Sequence, residues 1–201
     1  MKKLALRLSL LLVLAVFGVG TAGAQTPSGE IPENVTLSRD AEGKPIVTID
    51  DQQVGTTIRV THDGLTVVST VEEIDANLVP GDWLMHHQTC WSHYLRHSDE
   101  KGSYWTKTLW CANNTTKILT WKEVTGDIDS VNWPWTAYDD HVETTAGGVG
   151  HNYHEDTGRG KFRLCPPLQD CVNVLDITKI WKEQYGDGVT DSEVTYESEW
   201  L

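Results

Sequence analysis

The stretch Cys90–Trp121 (CWSHYLRHSDEKGSYWTKTLWCANNTTKILTW) holds four of the nine Trp and two of the four Cys of this 201-residue chain. Folded about the Glu100–Lys101 bond as an antiparallel hairpin, it brings Cys90 opposite Cys111, Trp91 opposite Trp110 and Arg96 opposite Trp105. Alternation then places Trp91, His93 and Leu95 on one face, with Thr106, Thr108 and Trp110 beside them, and Cys90, Ser92 and Tyr94 on the other. A disulfide next to a cross-strand Trp pair marks a stapled β-hairpin within an all-β domain.

Cysteine pairing depends on compartment. Lys2, Lys3 and Arg7, the apolar run Leu8–Val19 and Ala22-Gly23-Ala24 read as an export signal over residues 1–24, cleaved after Ala24. Its removal takes three positive charges and moves the net charge from −13 to −16. The mature chain is expected to be secreted or extracellular, without membrane insertion after signal removal. Four Cys in an exported chain read as two disulfides. The favoured pairing is Cys90–Cys111 and Cys165–Cys171, the latter closing a short Pro-rich turn; the rival joins Cys111 to one of the later pair. The acidic balance argues against nucleic acid, which demands basic patches.

Taken in order, residues 25–34 read as a flexible leader. Val35–Arg39, Ile46–Asp50, Thr57–Thr61 and Leu65–Thr70 read as short strands separated by turn residues, with Asp63-Gly64 the clearest hairpin turn. Over Ser69–Leu78, apolar residues at helical spacing and two capping-box pairs predict one short helix. Residues 35–80 are therefore expected to form a small β unit plus a helix, and 81–201 a β-sandwich-like domain. Thr115–Val124 reads as a strand and Gly126–Gly150 as irregular. Strands resume at Gly150–His154, Gly160–Cys165, Cys171–Ile177 and Val194–Trp200, with Lys179–Tyr185 open between strand and helix.

Trp110-Cys111 with an Asn-rich turn, Gly160-Lys161-Phe162-x-x-Cys165, Cys171 and Tyr185-Gly186-Asp187-Gly188 together resemble a group of uncharacterised secreted bacterial all-β proteins. The resemblance covers about residues 90–188. It implies an all-β extracellular domain and transfers no catalytic residue.

Few constellations carry chemistry. His141, His151 and His154 could ligate zinc if a loop gathered them, but on a strand His151 and His154 point to opposite faces. Asp139, Asp140, Glu155 and Asp156 offer carboxylates for calcium without its characteristic spacing. No cofactor is expected from these patterns. No Gly-x-Ser-x-Gly or phosphate-cradling loop is present. Trp133 and Trp135 flank Pro134 in a polar stretch, where stacking on a sugar or anchoring a protein is the natural use of an exposed indole. The leading expectation is a secreted non-catalytic binding domain for an extracellular glycan or protein, its function lying between Asn132 and Asp156. The alternatives are a secreted hydrolase using loop carboxylates or a His-bound metal, and a purely structural extracellular protein.

Overall fold

The computed structural model describes residues 31–76 and 87–201. The export signal, Trp83 and His86 lie outside the described residues. Among the described residues eleven antiparallel strands follow in order: β1 (Val35–Arg39), β2 (Pro45–Gln52), β3 (Thr56–His62), β4 (Leu65–Ile74), β5 (Gln88–Ser98), β6 (Gly102–Asn113), β7 (Leu119–Val131), β8 (Trp135–Gly147), β9 (Tyr153–Leu164), β10 (Val174–Tyr185) and β11 (Thr190–Trp200). They form a six-stranded sheet, β1-β2-β11-β10-β9-β8, and a five-stranded sheet, β3-β4-β5-β6-β7. Sequence neighbours pair from β3 to β7 and from β8 to β11, and β11 returns to pair with β2. The fold is an all-β meander that changes sheet at 53–55 and again at 132–134.

The β5–β6 hairpin has the expected register: Cys90 faces Cys111, Trp91 faces Trp110, and Arg96 faces Trp105. Both expected disulfides are present, Cys90–Cys111 and Cys165–Cys171. The Trp91 and Trp110 ring centroids lie 5.7 Å apart in a tilted pair, and both residues are buried.

The short helix does not form over Ser69–Ile74, which continues β4; residues 77–80 lie outside the described residues. The deciding pattern has period two. Leu65, Val67, Ser69 and Val71 are all buried on one face. Ser69 caps nothing, and its hydroxyl instead donates to Gln52 Oε1 at 2.6 Å. Nor does the N-terminal part stand alone, because β1 and β2 extend one sheet while β3 and β4 extend the other. Val47, Ile49, Val60 and Val67 share one core with Tyr104 and Phe162, so the strands of Val35–Ile74 and those after Gln88 bury the same surface. Thr115–Val124 contains the first half of β7 as expected, whereas the stretch expected to be irregular supplies the rest of β7 and all of β8. Lys179–Tyr185 is strand within β10.

Inward positions run through the sandwich as alternating layers. Along β5 they are Trp91, His93, Leu95 and His97, all buried. Trp91, Trp110, Val71 and Leu119 make one apolar layer. Leu95, Val67, Tyr104, Phe162 and Ile180 belong to another. Between them lies a polar layer that includes His93, Thr108, Asp156 and Lys182. The two sheets approach closely at Tyr104, whose ring lies over Gly160; a Cβ there would sit 2.6 Å from Tyr104 Cγ.

Two stability predictions follow from this packing. Gly160→Ala overpacks the Tyr104 contact and is expected to cost about 1–3 kcal/mol in urea unfolding. Replacing Cys90 and Cys111 by Ala opens a 21-residue separation and is expected to cost about 3 kcal/mol, against about 2 kcal/mol for the 6-residue Cys165–Cys171 separation.

Candidate functional site

At one end of the sandwich lies the β5–β6 turn, which joins two neighbouring strands of the five-stranded sheet. It is short because Lys101 N donates to Asp99 Oδ1 at 2.8 Å, and Asp99 N to Gly102 O at 2.9 Å. The turn forms one wall of a cavity of about 290 Å³ whose lining includes Lys44, Asp63, Asp99, Lys101, Asp176 and Tyr196. These residues come from both sheets, so the cavity lies at the mouth of the sandwich.

The floor is a connected polar group. Lys101 Nζ lies 2.6 Å from Asp99 Oδ2, and His97 Nε2 lies 3.3 Å from the same oxygen. The Tyr196 hydroxyl is 2.9 Å from His97 Nε2. The Lys101 ammonium sits 4.6 Å from the Tyr196 ring centroid and 5.9 Å from that of Trp135. Burial lowers the pKa of His97 and keeps it neutral, outweighing the pull of Asp99. Burial alone would raise Asp99, but His97 and Lys101 prevail and hold its carboxyl well below the usual range. Burial first, and Asp99 second, push the Tyr196 hydroxyl well above its ordinary value. Near neutrality the floor therefore presents an ionised carboxylate, an ammonium and a protonated phenol. That set suits hydrogen bonding to a polar ligand more than proton transfer.

Two aromatic residues stand beside this floor. Asn132, in the turn between β7 and β8, donates its backbone N–H to Lys101 O at 2.9 Å and its side-chain amide to Asp99 O and Glu100 O. That turn carries Trp133, which is 78% exposed. On β11, Tyr196, Ser198 and Trp200 alternate onto one face, while Glu197 and Glu199 pair with Lys179 and Lys161 on the other. Ser198 accepts a hydrogen bond from the cavity-lining Lys44 at 2.9 Å. Trp200, 81% exposed, follows Ser198 on the same strand face as the cavity-lining Tyr196, beyond the cavity itself.

A second hollow, of about 420 Å³, lies at the opposite end, lined by residues that include Asp51, Lys117, Tyr185 and Asp187. Its three charged side chains are all exposed, so it lacks the held, desolvated charges of the mouth.

The expected site residues are not brought together. Trp133 is exposed as anticipated, whereas Trp135 is half-buried, packs against the main core and supports Lys101. His141 is exposed on β8 opposite Arg159. His151 is exposed in a turn, and His154 is fully buried on β9. Among the described residues no group of three or more His, Cys, Asp or Glu could hold a metal ion. The reason is strand register: His154 faces Gly147, six residues along β8 from His141. The four carboxylates proposed for calcium divide likewise, Asp139 and Asp140 being exposed on β8 and Asp156 buried inside. The sequence reading missed His97, Asp99, Lys101, Tyr196 and Trp200. The usable signals were the i, i+2, i+4 spacings His97-Asp99-Lys101 and Tyr196-Ser198-Trp200 at strand ends.

Deeper in the sandwich, Lys182 donates to Thr108 Oγ1 at 2.6 Å and to His93 O at 3.5 Å. Thr108 donates to Asp156 Oδ2 at 3.1 Å, and His154 Nε2 lies 3.1 Å from that oxygen. Lys122 and Thr144 approach the other Asp156 oxygen from the sheet margin. Burial lowers the pKa of Lys182 to about 7 against the attraction of Asp156. It also lowers His93 and His154. Comparisons with protein-family models, with curated proteins and with solved structures find no match.

These directions set the pH dependence of stability. Below 6.5 the unfolded chain takes up protons that His93, His97 and His154 refuse when folded, so stability falls on acidification. Between about 7 and 10.5 the unfolded chain keeps a proton that folded Lys182 loses, so stability rises with pH. The urea midpoint is expected to increase from pH 5 to 7 to 9. Lys182→Met is expected to abolish the rise between pH 7 and 9 and to leave the fall below pH 7.

Proposed function

We propose that this protein is a secreted, non-catalytic binding domain that holds a glycan at the mouth of its sandwich. The observation that carries the reading is the pairing of a charged hydrogen-bonding floor, Asp99–Lys101–Tyr196, with exposed indoles at Trp133 and Trp200. Sugars present hydroxyls that both donate and accept, and apolar ring faces that stack on aromatic side chains. A rigid site with few rotamers to freeze loses little entropy on binding. The floor is tied by its ion pairs, and the Trp133 turn is tied to it by Asn132. Secretion is supported by two disulfides, which suit an oxidising compartment, and by the export-signal pattern of residues 1–24. The mouth's surplus of carboxylates continues the acidic balance of the whole chain, which disfavours nucleic acid.

A second reading, docking of a protein partner, has its own observation. Leu168 is fully exposed and Val172 partly so on and beside the disulfide-closed Cys165–Cys171 turn. Backbone hydrogen bonds join that loop both to the Trp133 turn, through Cys165 N to Pro134 O, and to the end of β11, through Leu201 N to Asn173 O.

The test is a screen of the disulfide-bonded protein against soluble glycans and insoluble cell-wall polysaccharides, read by affinity electrophoresis and pull-down. Trp200→Ala and Trp133→Ala are expected to weaken retention by about tenfold or more each, with an unchanged urea midpoint. Trp135→Phe, which keeps an aromatic support under Lys101, is expected to have a smaller effect. Retention unchanged in both alanine variants contradicts the reading, and release of reducing sugar from a retained glycan favours the hydrolase instead.

A further inference from the structure

We infer that the mouth is a closed-ended socket that takes the terminal residue of a non-acidic glycan, not an internal stretch of chain. This rests on the glycan reading above and adds to it where on the polymer the domain binds and which sugars it rejects.

The first ground is closure. Turns and strand ends of both sheets surround the cavity. On one side, Arg39 of β1 pairs with Asp63 of the β3–β4 turn and bridges the sheets. On another, Asn132 ties the β7–β8 turn to the β5–β6 turn. Below, Leu65 and His97 are fully buried, and the Leu95–Tyr104 layer fills the sandwich beneath them. The filled sandwich gives no passage beneath the cavity, so a polysaccharide cannot thread it, and a chain end is the part that fits within.

The second ground is size. A volume of about 290 Å³ lies at the small end of the range for ligand pockets, roughly 300–1,000 Å³, and suits about one sugar ring. Trp200, on the same face of β11 as the cavity-lining Tyr196, offers an exposed indole for sugar outside the cavity.

The third ground is charge. Asp63, Asp99, Glu100 and Asp176 line the cavity against Lys44 and Lys101. Both ammonium groups already face carboxylates, Lys44 towards Asp176 at 3.9 Å and Lys101 on Asp99 at 2.6 Å. A uronic acid or other acidic sugar would enter against this surplus with no free cation to meet it, whereas neutral and amino sugars escape the penalty.

The experiment is calorimetric titration of the full disulfide-bonded protein with oligosaccharide series of one to six residues. The probes are gluco-, manno- and N-acetylglucosamine oligomers and, as the acidic arm, galacturonic acid oligomers. For a series that binds, affinity is expected to change less than threefold from disaccharide to hexasaccharide. Blocking one end, by reduction at the reducing end or methylation at the other, is expected to weaken binding at least tenfold. The galacturonic series is expected to bind at least tenfold more weakly than the neutral ones. Tyr196→Phe, which removes one hydroxyl from the floor, is expected to weaken every bound neutral probe by a similar factor. An affinity that climbs tenfold or more with length, indifference to both end modifications, or equal binding of the acidic series overturns the socket while leaving the glycan reading standing. Failure of every oligosaccharide and of the insoluble polysaccharides removes both.

Discussion

The register of the β5–β6 hairpin is the constraint on which the other features depend. With a side-chain period of two, a slip of one residue would turn His93, Leu95 and His97 outward and bring Cys90, Ser92 and Tyr94 inward. The Cys90–Cys111 bond and the Trp91–Trp110 pair oppose that slip at one end of the hairpin. At the other end the Asp99-centred turn closes it, with His97 and Lys101 both directed at Asp99. The staple and the cavity thus lie at opposite ends of one hairpin, and the first sets the geometry of the second.

Alternating apolar and polar layers give this sandwich an unusual interior. Lys182, Asp156, His93 and His154 are all fully buried together. Desolvation is expensive for each, and Asp156 is supported by Thr108, Thr144, Lys122 and His154 at once. The layer fixes how the sheets sit on each other, because any displacement would strand a charge without its partners. The same logic recurs one layer further, where His97, Asp99, Lys101 and Tyr196 join the sheets and reach the surface. A buried polar layer serves structure where it is closed and can serve recognition where it opens.

Much of the fold was legible in the sequence where residues announce their own partners. Two Cys and two Trp at mirror positions defined the β5–β6 hairpin, and Asp63-Gly64 marked the β3–β4 turn. The helix expected over Ser69–Leu78 failed because a short apolar run satisfies both periods, and only Leu65 and Val67 upstream separate them. The second half of β7 and the whole of β8 escaped notice because these strands lie at sheet margins: Asp139, Asp140 and His141 are successive exposed strand residues and show no alternation. The site was legible only in part. Trp133 stood out beside Pro134 in a polar stretch. Tyr196 meets His97 across 99 residues of sequence, through the return of β11 over the other sheet, and no local pattern encodes that meeting. The proposed histidine ligands are dispersed by register: His141 lies on a strand in the stretch expected to be irregular, His151 precedes β9, and His154 is buried within it.

The central claim, that a glycan is held at the mouth between the β5–β6 turn and β11, is tested most directly by amide and indole chemical-shift mapping by NMR during titration with an oligosaccharide retained in the screen. The largest shifts are expected on Asp99–Lys101, Tyr196, Ser198, and the indoles of Trp133 and Trp200. Shifts centred instead on Lys117, Asn152 and Tyr185–Val189, around the hollow at the opposite end, would contradict it.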